Sequence, residues 1–245
     1  MNIKPIALSL ISVFFFLSSF AQKPTHQAWD VLLKKHVNAG GMVNYKGFLN
    51  DKAQLDSYLK TLSNNAPQAN WKKDEQKAFW INAYNAFTVS LILENYPVKS
   101  IKDIAGKIYK VNTPWDLKFI SIGGKKYDLN NIEHGILRKQ FDDPRIHFAL
   151  VCASVSCPKL RREAYTPDRL NMQLEEAGRD FLNDPGKNKI SASRADLSKY
   201  FSWYKSDFIK KEPLHSFINR YSKTKIDPKT KIGTLEYDWS LNEQK

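Results

Sequence analysis

The sequence predicts an α+β fold: a single domain in which a long buried central helix packs on a small, largely antiparallel sheet. Residues 74–97, DEQKAFWINAYNAFTVSLILENYP, are apolar on nearly every side between Ala78 and Leu93, and a helix apolar all round belongs in the interior. The segment LKFISIGGKKYDL places Gly123-Gly124 between two short runs, the signature of a two-residue hairpin turn. Helical patterns dominate the first part of the chain and strands mix with helices later. No internal repeat, low-complexity tract or linker divides it, so one domain is expected over residues 22–245.

Each element follows from its local pattern. HQAWDVLLKKHV spaces Trp29, Leu32, Leu33 and Val37 at helical intervals before Gly40-Gly41 stops it. A second helix is expected near residues 50–63. The central helix opens with Asp74 and Glu75, which suit the positive end of the helix dipole, and closes before Pro97. Asn82, Tyr84 and Asn85 interrupt its apolar run, and a buried amide without partners costs about 1–3 kcal/mol, so each should be hydrogen-bonded. After the hairpin, NNIEHGILRKQF predicts a short helix. RIHFALVC, rich in apolar and β-branched residues and bounded by Asp142-Asp143-Pro144, predicts an interior strand. Thr166-Pro167 is an N-cap and first-turn pair for the amphipathic helix DRLNMQLEEAGRDFL, which Asn183-Asp184-Pro185-Gly186 ends. Two short strands around 188–198, helices near 199–209 and 214–221, and a terminal extended TLEYDW complete the reading.

The first 21 residues predict a signal peptide. Lys4 precedes the apolar run IALSLISVFFFLSSFA, and Ser19 and Ala21 occupy the −3 and −1 positions of a cleavage site before Gln22. The protein is therefore expected to be exported, periplasmic or secreted, with no integral membrane segment in the mature chain. The full chain carries 38 Lys and Arg against 25 Asp and Glu, a formal charge of +13, and cleavage removes a single lysine. Its lysines are scattered and no nucleic-acid-binding pattern appears, so the expected partner is an anionic envelope polymer or peptide rather than nucleic acid. Two cysteines are too few for a disulfide scaffold.

Those cysteines, Cys152 and Cys157, lie together in IHFALVCASVSCPKL. Thiol chemistry needs a base that stabilises the thiolate. Of the five histidines, His26, His36 and His215 lie in polar, surface-like contexts, whereas His134 and His147 are near the cysteine loop. On a regular strand His147 and Cys152 point to opposite faces, which favours His134 as the base. Glu133, adjacent to His134, is expected to point elsewhere, leaving Asn82 or Asn85 to orient the imidazole or hold an oxyanion. A Glu133/His134/His147/Cys152 metal site lacks the i, i+4 or C-x-x-C spacing that zinc sites favour, and no cofactor or metal is expected. Ser154 and Ser156 lack a G-x-S-x-G elbow. Four residues separate the cysteines, so a tight turn brings a disulfide within range. Free thiols are nevertheless favoured, with Cys152 reactive and Cys157 packed.

The blocks FWINAYNAFTV, NNIEHGILR, DPRIHFALVCASVSCPKL, AYTPDRLNMQLEEAGRDFLN and LSKYFSWYKSDF together resemble domain-of-unknown-function family 547, over a core of about residues 40–210. The resemblance carries over to Asn82, Tyr84 and Asn85, to Glu133, His134 and Arg138, and to Arg145, His147, Cys152, Ser156 and Pro158. Some members have serine where Cys157 stands, which argues against an obligatory disulfide. The expected function is an exported thiol-dependent hydrolase or acyl transferase acting on an amide or ester, with Cys152 as nucleophile, His134 or His147 as base, and Asn82 or Asn85 assisting. Its rival is a non-catalytic binding domain with a polar pocket for an acidic ligand. Arg138 and Arg145 would be its principal contacts, and Glu133, Tyr84 and Ser156 would complete the pocket.

Overall fold

A computed structural model describes residues 23–107 and 113–245; the expected signal peptide over residues 1–21, and its cleavage site, lie outside the described residues. Helix α1 (Gln27–His36) buries Trp29, Leu32 and Leu33 on one stripe. Helix α2 (Tyr45–Asn50) was not foreseen: the Asn44 side chain starts it by accepting the Gly47 N–H at 2.8 Å. Helix α3 (Lys52–Asn64) follows directly. Helix α4 (Lys73–Asn95) is the predicted central helix, buried at every position from Ala78 to Val89, with Glu75 accepting the Lys72 N–H at its start.

The α+β class and the single domain stand, but α4 packs mainly on helices and meets a sheet through the Trp80 ring, 5.5 Å from that of Tyr127. It packs against α2, α3 and the turn Asn131–Leu137. Strands β1 (Ile120–Ile122) and β2 (Lys125–Tyr127) form the expected hairpin, Gly123 and Gly124 supplying φ of 59° and 76°. A separate sheet holds β3 (Lys189–Ile190), β4 (Arg194–Leu197) and β5 (Lys231–Thr234), with β3 and β4 antiparallel and β4 and β5 parallel. Such short strands cannot cover a helix of 23 residues that is apolar on all sides, and other helices do so instead.

The expected strand RIHFALVC is a helical turn, Pro144–Phe148, followed by irregular backbone. Asp143 and Pro144 decide this, because the Asp143 carboxylate accepts the Arg145 N–H at 3.1 Å and Pro144 takes the first helical position. The alternation that separated His147 from Cys152 therefore does not exist. Helix α5 (Arg138–Gln140) extends the turn before it. Helix α6 (Leu170–Leu182) starts three residues later than Pro167, after a turn in which the Arg169 N–H bonds the Thr166 carbonyl at 3.2 Å.

Helices α7 (Tyr200–Trp203), α8 (Lys205–Phe208) and α9 (Leu214–Tyr221) enclose a second, aromatic core with α6. At its centre Phe148 meets Phe181, Phe201, Phe208, Phe217 and Tyr221. The C-terminal segment then straps the cysteine loop: Val155 N–H bonds Ser240 O at 2.8 Å and Asn242 N–H bonds Ala153 O at 3.1 Å. That strap brings Tyr237 and Trp239 beside α7, where both rings pack on Trp203.

Two histidines placed at the surface by sequence are buried. His36 lies beside Asp51, 2.5 Å from its carboxylate, and His26 Nδ1 meets the Tyr58 hydroxyl at 2.7 Å. Their polar neighbours in sequence face solvent while the rings turn inward. Burial lowers His26 from 6.5 to about 4. The unfolded chain thus binds the proton more readily between those values, so this stability is present above pH 6.5 and lost as pH falls toward 4. The melting temperature is expected to drop across that window, by an amount corresponding to roughly 3 kcal/mol. His26→Gln is expected to flatten the slope; an unchanged pH profile in that variant would count against a neutral buried His26.

Candidate functional site

The site begins with two asparagines of α4. Asn85 Nδ2 donates to Ala149 O at 2.9 Å while its Oδ1 accepts Val151 N–H at 3.0 Å. Asn82 makes the same double contact with Tyr165, 2.7 Å to its carbonyl and 3.0 Å from its N–H. Each amide satisfies loop backbone that no strand pairs: Asn85 fixes the segment between His147 and Cys152, and Asn82 the loop before α6. Neither amide touches an imidazole, so the expected roles in orienting a histidine or holding an oxyanion are not seen; their donors and acceptors are committed to backbone. Asn82→Ala and Asn85→Ala are each expected to lower stability by about 1–3 kcal/mol, measured by thermal or urea unfolding. Unfolding curves matching the parent would show that these contacts do not hold the loop.

The predicted helix at Asn131–Leu137 is wound as a π-helix, in which Arg138 N–H reaches back to Glu133 O. Its wider turn brings Glu133 and His134, adjacent in sequence, to the same cleft, against the expectation that they diverge. Glu133 is 5% exposed, and its Oε1 lies 3.9 Å from Nδ1 of both His134 and His147. Arg138 sits 3.1 Å from His134 Nδ1. A guanidinium only donates, so that nitrogen is the acceptor and the His134 proton sits on Nε2.

His147 is 1% exposed and stacked on Tyr204, ring centroids 3.8 Å apart. Its Nε2 is 2.8 Å from Asp207 Oδ2, whose carboxylate also takes a bidentate pair from Arg138 at 2.7 and 2.9 Å. Hydrogen bonds from His147 and Arg138 hold Asp207 well below the usual carboxylate range. An ionised Asp207 accepts, which places a His147 proton on Nε2, so in the neutral ring the lone pair is on Nδ1. That Nδ1 is buried and has no hydrogen-bond partner among the described residues. Burial, aided by the Glu133 carboxylate, pushes the Tyr84 and Tyr204 phenols up and keeps them protonated.

The cleft has a volume of about 250 Å³. Glu133, His134, His147 and Cys152 line it together with Tyr84, so the structure gathers these sequence-predicted residues at one place. Cys152 and Cys157 are joined in a disulfide with Cα atoms 6.2 Å apart, which corrects the expectation of free thiols. The turn that bonds Cys157 N–H to Ser154 O at 3.1 Å brings the sulfurs together. Cys152 faces the cleft and Cys157 is fully buried behind it. The Cys152 sulfur lies by the Tyr237 and Ser154 hydroxyls, at 3.2 and 3.3 Å, and makes no hydrogen bond to either imidazole.

Arg138, Arg145 and Ser156 do not line the cleft. Arg145 gives its fork to Asp143 at 2.8 and 2.9 Å and its remaining nitrogen to Asn171 and Glu175. Ser156 is tied to Asp238 N–H at 2.9 Å. Asp207, Tyr200, Trp203 and Tyr204 were missed, although their i, i+3, i+4, i+7 spacing in YFSWYKSD marks one helical face. Trp115 and Trp239 also line the cleft and carried no local signal. Among the described residues no group of three or more His, Cys, Asp or Glu is arranged to hold a metal ion, and no helix is long and apolar enough to cross a membrane.

Residues 68–182 match the family described as "Protein of unknown function, DUF547". This is the family expected from the sequence blocks, over a shorter span than residues 40–210. It runs from just before α4 to the end of α6, so α7, Tyr204 and the C-terminal strap complete the cleft from outside it, and α8 supplies Asp207 to His147. No curated protein and no solved structure shows significant similarity to the chain.

Proposed function

We propose, for a chain whose residues 68–182 match the DUF547 family, that the cleft is the active site of an exported hydrolase or acyl transferase acting on an amide or ester of an envelope polymer or peptide. The observation that carries this reading is His147, a residue of the cleft wall held at Nε2 by Asp207 while its Nδ1 is buried and has no hydrogen-bond partner among the described residues. A base oriented by a carboxylate is the arrangement that general base catalysis requires.

With the disulfide closed, the nucleophile is water, or an acceptor hydroxyl in transfer. Its oxygen bonds to the carbonyl carbon as its proton passes to His147 Nδ1, and the carbonyl electron pair moves onto oxygen. Collapse of the intermediate breaks the C–O or C–N bond, and His147 returns the proton to the leaving atom. Asp207 at 2.8 Å and Glu133 at 3.9 Å stabilise the transient imidazolium. His134 Nε2–H is the donor available to the oxyanion. The excess of basic residues supports an anionic polymer or peptide as the larger partner.

A second reading keeps Cys152 as the nucleophile, favoured by its place on the cleft wall in front of buried Cys157. It requires a thiol reductant to open the disulfide, after which His134 or His147 takes the thiol proton. The non-catalytic binding domain has less support, because the guanidinium forks it relied on are occupied by Asp207 and Asp143. Turnover of a panel of aryl esters and anilides by the mature protein, with and without reductant, distinguishes the three. The proposal expects turnover in the oxidised protein; turnover only after reduction supports the thiol, and none in either state refutes both enzyme readings.

A further inference from the structure

We propose that the cleft binds an organic cation, an alkylated or quaternary ammonium group, in a box of aromatic rings closed by the Glu133 carboxylate. The proposal rests on the reading of this cleft as the reaction site and deepens it by naming a group the substrate carries.

The first support is the wall itself. Tyr84, Trp115, Tyr200, Trp203, Tyr204 and Trp239 all line one cleft of about 250 Å³. Aromatic faces are electron-rich and attract cations, most strongly where water is displaced. Two of these rings already carry one from the chain. Lys102 Nζ lies 4.3 Å from the Trp239 centroid, and the Arg138 guanidinium lies 5.4 Å from that of Tyr204. Trp203, at the rim, is 46% exposed.

The second support is Glu133, which decides between kinds of ligand. Among the described residues its carboxylate has no Lys or Arg nitrogen within 4.0 Å, and its charged-group neighbours are the two histidine Nδ1 atoms at 3.9 Å. With His147 neutral neither nitrogen carries a proton, since His134 Nδ1 accepts from Arg138 and His147 holds its proton at Nε2. The Tyr84 and Tyr204 phenols and, at longer range, the Arg138 guanidinium offset part of the cost of burying this carboxylate, and a cation in direct contact would offset more of it. An anionic ligand is repelled by that charge. A neutral ring such as a sugar can stack on the same faces but gains nothing from the charge, whereas an ammonium group uses both features.

The test uses the full mature chain and choline chloride, read by tryptophan fluorescence and calorimetry, beside the neutral isostere in which carbon replaces the nitrogen. Choline is expected to bind saturably and at least about tenfold more tightly than the isostere. Glu133→Gln is expected to weaken choline binding about tenfold or more while leaving the isostere unchanged. Trp203→Leu, at a half-exposed position and with its fold checked by thermal unfolding, is expected to weaken choline binding, and it decides the matter if Glu133→Gln fails to fold. Equal affinity for the two ligands, unaltered affinity in Trp203→Leu, or no saturable choline binding overturns the proposal. Turnover is a separate readout: choline binding without ester or amide hydrolysis keeps this inference and refutes the proposed function, and hydrolysis without choline binding does the reverse.

Discussion

His147→Gln is expected to reduce kcat on any ester or amide the oxidised protein turns over by about 10²–10⁴-fold, the usual contribution of a positioned general base. The loss should fall on kcat far more than on KM, because Nδ1 acts on the proton that moves in the transition state rather than on bound substrate. Asp207→Asn should share much of it. A neutral amide in place of Asp207 can present its NH₂ to Nε2, which moves the imidazole proton to Nδ1 and removes the lone pair there. Because Asp207 also pairs with Arg138 at 2.7 and 2.9 Å, unfolding curves must accompany the kinetics. An Asp207→Asn protein that is folded and fully active would show that the His147–Asp207 pair is structural only.

The largest stability effect is expected at the neighbouring residue. Phe148 is fully buried and packs on aromatic rings from α6, α7, α8 and α9, so it joins every helix of the second core. Phe148→Ala is expected to cost about 3–5 kcal/mol, from lost burial and from the cavity left among rings that cannot all collapse inward. Phe148→Leu should cost clearly less, since it keeps most of the volume. The same core holds α8, and with it Asp207, against the turn that carries His147. Phe148→Ala should therefore also lose turnover at temperatures well below its own unfolding. A loss under about 1 kcal/mol would mean that the second core is not close-packed around this ring.

How far the sequence anticipated this structure depended on the range of the interaction. Helix α4 was legible because an apolar run of that length admits no surface position, and the hairpin because Gly123 and Gly124 supply a backbone conformation that other residues resist. His134, His147 and Cys152 could be identified as site residues from their chemistry, Tyr84 and Glu133 through the family resemblance, and they converge on one cleft. The run RIHFALVC was misread because a short apolar segment has no period that separates a strand from a buried turn. There the local contest went to Asp143-Pro144, and Asn85 then took the place of a strand neighbour. The disulfide ran against the expected free thiols, since loop geometry alone settles whether two sulfurs five positions apart meet. Asp207 and its three aromatic neighbours were on the page as one helical face. Trp239 was not, because its place depends on backbone pairing between the C-terminal strap and the cysteine loop.

The claim on which the mechanism rests is that Asp207 fixes the His147 proton at Nε2 and leaves the lone pair on the buried, unpartnered Nδ1. Nitrogen-15 NMR of histidine-labelled protein, with His147 assigned by substitution, reads this directly at a pH where the ring is neutral. The account predicts a protonated Nε2 and an unprotonated Nδ1, and a shift of the proton toward Nδ1 in Asp207→Asn. A native His147 with its proton on Nδ1 would contradict it.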